Sequence, residues 1–178
     1  MATKNSTFTA MKLRNKRFVF LIALFFAFSA NTHAQKDIAK VLANWNAGTI
    51  PYIYAEHIPN QDSILYLDTR EKEEYEVSHL KNAVWVGYKH FDGKRFLQQV
   101  PDTARPIIVY CSIGVRSEDI GEQLKALGYS KVLNLYGGIF DWKNNERTVY
   151  NAQGNPTDSV HAFSKYWGSL LHKGVKVY

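Results

Sequence analysis

Cysteine is almost missing from these 178 residues, and Cys111 is the single one. No internal disulfide can form, so the fold must hold by packing alone. A zinc site is excluded as well, because the six histidines are scattered without ligand spacing and have no second thiol to join. Acidic residues are absent from the first 34 positions, which carry five of the 22 Lys and Arg and none of the 16 Asp and Glu. Beyond them 17 basic residues face 16 acidic ones, a net charge of +1. Nucleic-acid binding driven by net charge is therefore excluded. There is no internal repeat and no low-complexity tract. The longest apolar run, Phe18 to Phe28, has 11 residues. Spanning a bilayer takes about 20.

That run has a different meaning. Lys12, Arg14, Lys16 and Arg17 precede it, and Ser29-Ala-Asn-Thr-His-Ala34 follows with small residues. A basic patch, a short apolar run and a small-residue exit describe a secretory signal peptide, with cleavage expected after Ala34. Met11 stands as an alternative initiator. The expectation is an exported protein, periplasmic or secreted, with no stable membrane insertion after cleavage. The organisation expected is a signal peptide over 1–34, one domain over 35–148, and a C-terminal extension over 149–178 packed on it.

Along the mature chain, Asp37 to Trp45 predicts a short helix with Ile38, Val41, Leu42 and Trp45 on one face. Strands are expected at Pro51–Tyr54, Ser63–Leu67, Ala83–Val86, Ile107–Tyr110 and Lys131–Leu135. Glu71 to Glu76 reads as a short charged helix with a solvated face, and Phe96 to Val100 as a helical turn. Ile120, Leu124 and Leu127 form a core-facing stripe on a helix that Gly128 stops. Gly137-Gly138 opens a short helix through Trp142. Past Thr148, Val160 to Leu171 predicts an aromatic amphipathic helix and Val175 to Tyr178 a terminal strand. The four tryptophans, and Phe163 and Tyr166, read as core. Strands alternating with helices argue for an α/β three-layer domain with a parallel sheet. In such sheets ligands sit beyond the carboxyl ends of strands. Asp68 and Cys111 both stand there.

A lone cysteine is ordinarily a small buried hydrophobe. The residues around Cys111 argue otherwise. It closes the strand ending at Tyr110 and opens the loop Cys111-Ser-Ile-Gly-Val-Arg-Ser117, which runs straight into a helix. Backbone N–H groups converge at such a turn and, with the helix dipole, favour a thiolate. Arg116 is placed to lie across the loop mouth or to brace it from within, Gly114 to allow a positive φ, and Ser117 to cap the helix. The expected product is an anion-binding cradle with sulfur at its base.

These residues resemble a single-domain rhodanese. The matching segments are Leu67-Asp-Thr-Arg-Glu71, Glu74-Tyr75, His79-Leu-Lys-Asn-Ala83, Ile107 to Ser117, Leu124 to Tyr129 and Leu135 to Trp142. The resemblance covers roughly residues 60–145 and leaves the stretch after Thr148 outside. It implies a five-stranded, mostly parallel sheet flanked by helices. It also implies a cysteine that accepts sulfane sulfur as a persulfide. Cys111 would be the nucleophile, and Ser112, Ile113, Gly114, Val115, Arg116 and Ser117 the substrate cradle, with Asp68 and Arg70 as supports. The partners implied are a small sulfur donor such as thiosulfate and a thiol or cyanide-like acceptor, with no cofactor and no metal. Two residues depart from the family pattern. Ser112 stands where many thiosulfate-using members have a basic residue, and His79-Leu-Lys-Asn-Ala83 replaces the usual His-Ile-Pro-Gly-Ala.

Two other classes compete with a sulfurtransferase. Phosphatase or arsenate reductase chemistry needs a longer loop than the four residues between Cys111 and Arg116. A non-enzymatic persulfide carrier or redox partner module would dock a protein through Phe163, Tyr166 and Trp167 of the C-terminal region.

Overall fold

The apolar stretch Ile107–Tyr110 is buried at all four positions, and the rest of the domain is built around it. The computed structural model describes residues 37–59 and 63–178, so the predicted signal peptide lies outside the described residues. Five parallel strands form the sheet: β1 (Tyr52–Ile53), β2 (Leu65–Asp68), β3 (Val84–Trp85), β4 (Ile107–Tyr110) and β5 (Val132–Leu135). Their order is β1-β5-β4-β2-β3, which puts β4 at the centre. The register sets Asp68 opposite Tyr110, so β2 and β4 end at the same level.

Alternation along β4 divides the core. Ile107 and Val109 face one side, where Ile120 and Leu124 of helix α4 (Val115–Ala126) and Phe96 of helix α3 (Gly93–Gln99) cover them. Ile108 and Tyr110 face the other, against Ile38 and Leu42 of helix α1 (residues 37–45) and Ile139 and Phe140 of helix α5 (Gly138–Asn144). This is the expected three-layer α/β fold with a five-stranded parallel sheet. Period-two alternation in the strands and a helical stripe in α4 suffice to build it. Helix α2 (Lys72–Val77) follows β2 and starts with a capping box between Glu71 and Glu74.

After Thr148 the terminal strand stands where it is expected, at Val175–Val177, but the helix before it does not. The expected helix over 160–171 is instead strand β8 (Ser159–His161) followed by one helical turn, α6 (Lys165–Gly168). β8 pairs in parallel with β9 (Val175–Val177), so the apolar residues here answer to a strand and a turn rather than to one helical stripe. Before them β6 (Val149–Tyr150) and β7 (Pro156–Thr157) make an antiparallel pair. Val149, Val160, Ala162, Leu170 and Leu171 are buried in the same cluster as α1 and α5. Each of the valines and leucines contributes about 1.5–3 kcal/mol by burial.

The aromatic residues also differ from expectation. Trp45 and Trp85 are exposed, Trp142 and Trp167 only half-buried, and Phe163 and Tyr166 face solvent. Trp45 sits at the end of α1, beyond the reach of the core that takes Ile38 and Leu42.

Candidate functional site

Cys111 follows the last residue of β4, and its backbone is fixed from behind by α5. Ile139 N–H donates to Cys111 C=O and Phe140 N–H to Ser112 C=O, both at 3.0 Å. The approach is so close that a Cβ on Gly138 would lie 2.3 Å from the Cys111 carbonyl oxygen. Glycine is required there. The diglycine after β5 thus lets the first amides of α5 hold the cysteine loop.

In front of the loop, Gly114 takes φ 111° and serves as N-cap of α4. Only glycine adopts that conformation without strain. Its N–H donates to Cys111 Sγ at 3.1 Å. The Gly114 carbonyl is held by Asn134 Nδ2 at 2.8 Å and Asn46 Nδ2 at 2.9 Å. Ser117 does not cap α4, as the sequence suggests. It lies inside the helix, where its hydroxyl donates to Asn134 Oδ1 at 2.8 Å. Helix α4 begins three residues earlier than a Ser117 cap would place it, because the left-handed glycine already turns the chain. Val115 and Arg116 open its first turn, whose amides have no intrahelical acceptor.

Arg116 braces the loop from within. Its two terminal nitrogens donate to Glu74 Oε2 at 2.7 Å and Oε1 at 2.9 Å, and Nη2 also reaches Ser112 Oγ at 3.0 Å. Ser112 in turn donates to Glu74 Oε1 at 3.1 Å. Burial alone would raise the Glu74 carboxyl, but the hydrogen bonds and charge of Arg116 outweigh it and hold the group below its usual range. The guanidinium is fixed as a cation by the same partners. Arg116 also lies over the Phe163 ring, 5.3 Å from its centre.

Asp68 and Arg70 form a fully buried pair at 2.7 Å. Arg70 Nη2 donates to the Ser78 carbonyl at 2.5 Å, tying the end of β2 to the chain after α2. The hydrogen bonds of the pair brace the end of β2 and, through the Ser78 carbonyl, the turn that follows α2, the helix in which Glu74 lies. Ile113 is buried in the core cluster, and Val115 is half-buried.

Above the sulfur opens a cavity of about 250 Å³, lined by Cys111, Ser112, Ile113, Val115 and Arg116 from the loop. Its remaining walls are aromatic: Trp45, Tyr88, Phe163 and Trp167. Of the expected residues, the site thus gathers Cys111, Ser112, Ile113, Gly114, Val115 and Arg116, and leaves Ser117, Asp68 and Arg70 behind it.

Sequence reasoning passes over several residues that matter here. Glu74 reads as one of a run of solvated acids, yet it is buried. Asn134 is a polar residue in an otherwise apolar strand, a signal in itself of a buried hydrogen-bonding role. Asn46 carries no comparable mark, and Phe163, read from the sequence as core or as a docking aromatic, carries none for its place over Arg116.

The model of the Rhodanese-like domain matches residues 51–145. A thiosulfate sulfurtransferase, GlpE, of Coxiella burnetii is 26% identical over 99 residues, covering 56% of this chain and 90% of that protein. A putative sulfur carrier protein, YrkF, of Bacillus subtilis is 31% identical over 101 residues, 54% of this chain and 53% of its own. Among solved structures, a thiosulfate sulfurtransferase from Pseudomonas aeruginosa shares the fold with a TM-score of 0.52 at 19% identity, over 79% of this chain and 26% of that one. A cysteine at the end of a central parallel strand, followed by a loop that opens a helix, stands within the matched residues. The chain belongs to the rhodanese-like family.

Proposed function

We propose that this protein is a sulfurtransferase that moves sulfane sulfur from a small donor to a nucleophilic acceptor through a persulfide on Cys111. The observation that carries the reading is the Gly114 N–H directed at Cys111 Sγ at 3.1 Å, at the base of an open cavity. A thiolate attacks the outer sulfur of a donor, of which thiosulfate is the simplest, and the donor remnant leaves with the bond electrons. The acceptor, a thiol or cyanide, then takes the outer sulfur and restores the thiolate. The Gly114 N–H serves both steps, because the attacking thiolate and the persulfide anion each offer it an anionic sulfur.

The short loop argues against phosphoryl or arsenate chemistry. With four residues between Cys111 and Arg116, and Arg116 occupied by Glu74, a tetrahedral oxyanion finds too few donors. A second reading is a carrier that delivers its persulfide to a protein, favoured by Tyr166 standing 72% exposed beside the cavity wall. In the same proposal the protein works outside the cytoplasm, on the strength of the basic, apolar and small-residue pattern over residues 12–34.

The test is a two-step assay. The protein is incubated with a sulfane donor, freed of it, weighed, and given cyanide. The expected result is a one-sulfur mass gain on Cys111 that cyanide removes as thiocyanate, with neither seen in Cys111→Ser. Absence of both from the unaltered protein would overturn the reading.

A further inference from the structure

Three of the four aromatic residues around the cavity, Trp45, Phe163 and Trp167, lie outside the residues 51–145 that carry the family match. Most of this wall is thus built by residues outside the family match. The wall is not a by-product of core packing, because Trp45 is 65% and Phe163 53% exposed. Phe163 moreover holds φ 62°, a left-handed conformation costly for a bulky residue. Its N–H donates to His161 Nδ1 at 3.1 Å, and Ser164 N–H to Ala162 C=O at 2.7 Å, which fixes the turn. The ring is thereby kept over Arg116, and Trp167 stands edge-on to Trp45 with ring centres 6.0 Å apart.

Charge points the same way. Among the described residues Arg116 is the one cation lining the cavity, and both of its terminal nitrogens are engaged by Glu74. Ser112 adds no charge. A divalent inorganic anion entering here would lose water against aromatic faces and meet no free counter-charge. An apolar group on the donor would gain by the same burial.

We propose that the cavity above Cys111 selects organic sulfane-sulfur donors carrying an apolar substituent, and that Phe163 and Trp167 are the specificity-determining residues. The inference rests on the sulfur-transfer reading and names its donor class. For a thiosulfonate, the Cys111 thiolate attacks the terminal sulfur. A new S–S bond forms, the bond between that sulfur and the sulfonyl sulfur breaks, and its electron pair leaves with the sulfinate. One anionic thiolate and one anionic donor give one persulfide anion and one sulfinate. No oxidant or reductant is needed.

The experiment compares benzenethiosulfonate, methanethiosulfonate and thiosulfate in single turnover, reading the persulfide on Cys111 by intact mass. Each rate is divided by the rate of the same donor with a simple free thiol, to remove intrinsic reactivity. Benzenethiosulfonate is expected to load Cys111 about tenfold or more faster than methanethiosulfonate, as apolar pockets discriminate. Phe163→Ala should bring the ratio close to one; its ring is exposed, so the core stays intact. Trp167→Phe, which keeps an apolar ring in a half-buried place, should lower the ratio partly. Equal normalised rates for the three donors in the unaltered protein would overturn the inference alone. So would an unchanged ratio in Phe163→Ala, or a protein cysteine persulfide outpacing every small donor. Failure of all donors to place sulfur on Cys111 would sink the sulfur-transfer reading, and this inference with it.

Discussion

Glu74 grips Arg116 with both carboxylate oxygens, at 2.7 and 2.9 Å, across 42 residues of sequence. The pair is the joint between helix α2 and the cysteine loop, and its geometry fixes how much positive charge the cavity presents. Arg116 supplies structure to the cradle more than a free counter-ion, because a buried carboxylate already neutralises it.

Glu74→Gln should therefore do two things. It leaves Arg116 without its anion in a partly buried place, which costs about 3 kcal/mol of stability. It also returns a cation to the cavity mouth, so the rate of Cys111 loading by thiosulfate should rise relative to that by an uncharged trisulfide. Denaturant midpoints and donor-rate ratios check the two effects separately.

Gly138→Ala is expected to damage the site from behind. The added methyl would stand 2.3 Å from the Cys111 carbonyl oxygen and 2.8 Å from the Ser112 carbonyl carbon. Backbone cannot yield as a side-chain end can, so α5 or the loop must move. Persulfide formation should fall by about 100-fold or more, on the scale expected for a misplacement near 1 Å. Mass-resolved loading kinetics measure it.

Asp68→Asn removes the anion from a pair in which both side chains are wholly buried. The uncompensated Arg70 should cost about 3–5 kcal/mol, read as a lowered denaturation midpoint. Arg70 also holds the Ser78 carbonyl, so amide exchange should quicken around residues 78–80 more than in β4.

Two carboxyls give the stability a defined pH dependence. Burial, and then the nearby charge of Glu56, push the Asp141 carboxyl up to about 6 from an ordinary 3.8. The folded state therefore takes up this proton more readily than the unfolded chain, and stability rises as pH falls from above 6 toward 4, by up to about 3 kcal/mol. Glu74 is shifted the opposite way, so its contribution is present above its ordinary 4.5 and is lost as pH falls below that value. Denaturation of the unaltered protein and Asp141→Asn between pH 5 and 7.5 isolates the first effect. The slope should be shallower in the variant; parallel slopes would refute it.

Much of the fold was legible because it is written in local pattern. An apolar run that ends in Cys111, a turn containing Gly114, and a stripe of Ile120 and Leu124 each have a short-range physical cause. Alternation of strand and helix then leaves few parallel arrangements. Glu74 lies in a segment that matches the family, but its pairing with Arg116 is not legible, because its neighbours Glu73 and Glu76 are solvated and nothing local separates a paired acid from an unpaired one. The wall of Trp45, Phe163 and Trp167 reads as core from sequence alone, since a sequence gives an aromatic residue hydrophobicity but no address.

The chain by itself determined a thiol at the mouth of a central parallel strand, with a glycine and an arginine set at distances that make a cradle. These follow from backbone sterics and periodicity, which act over a few residues. Tertiary structure alone decided that Arg116 is spent on Glu74, that Gly138 lets α5 clasp the loop, and that residues after 148 roof the sulfur with aromatic rings. Each of those joins segments more than 20 residues apart, where the energy of a contact depends on what the whole fold brings together.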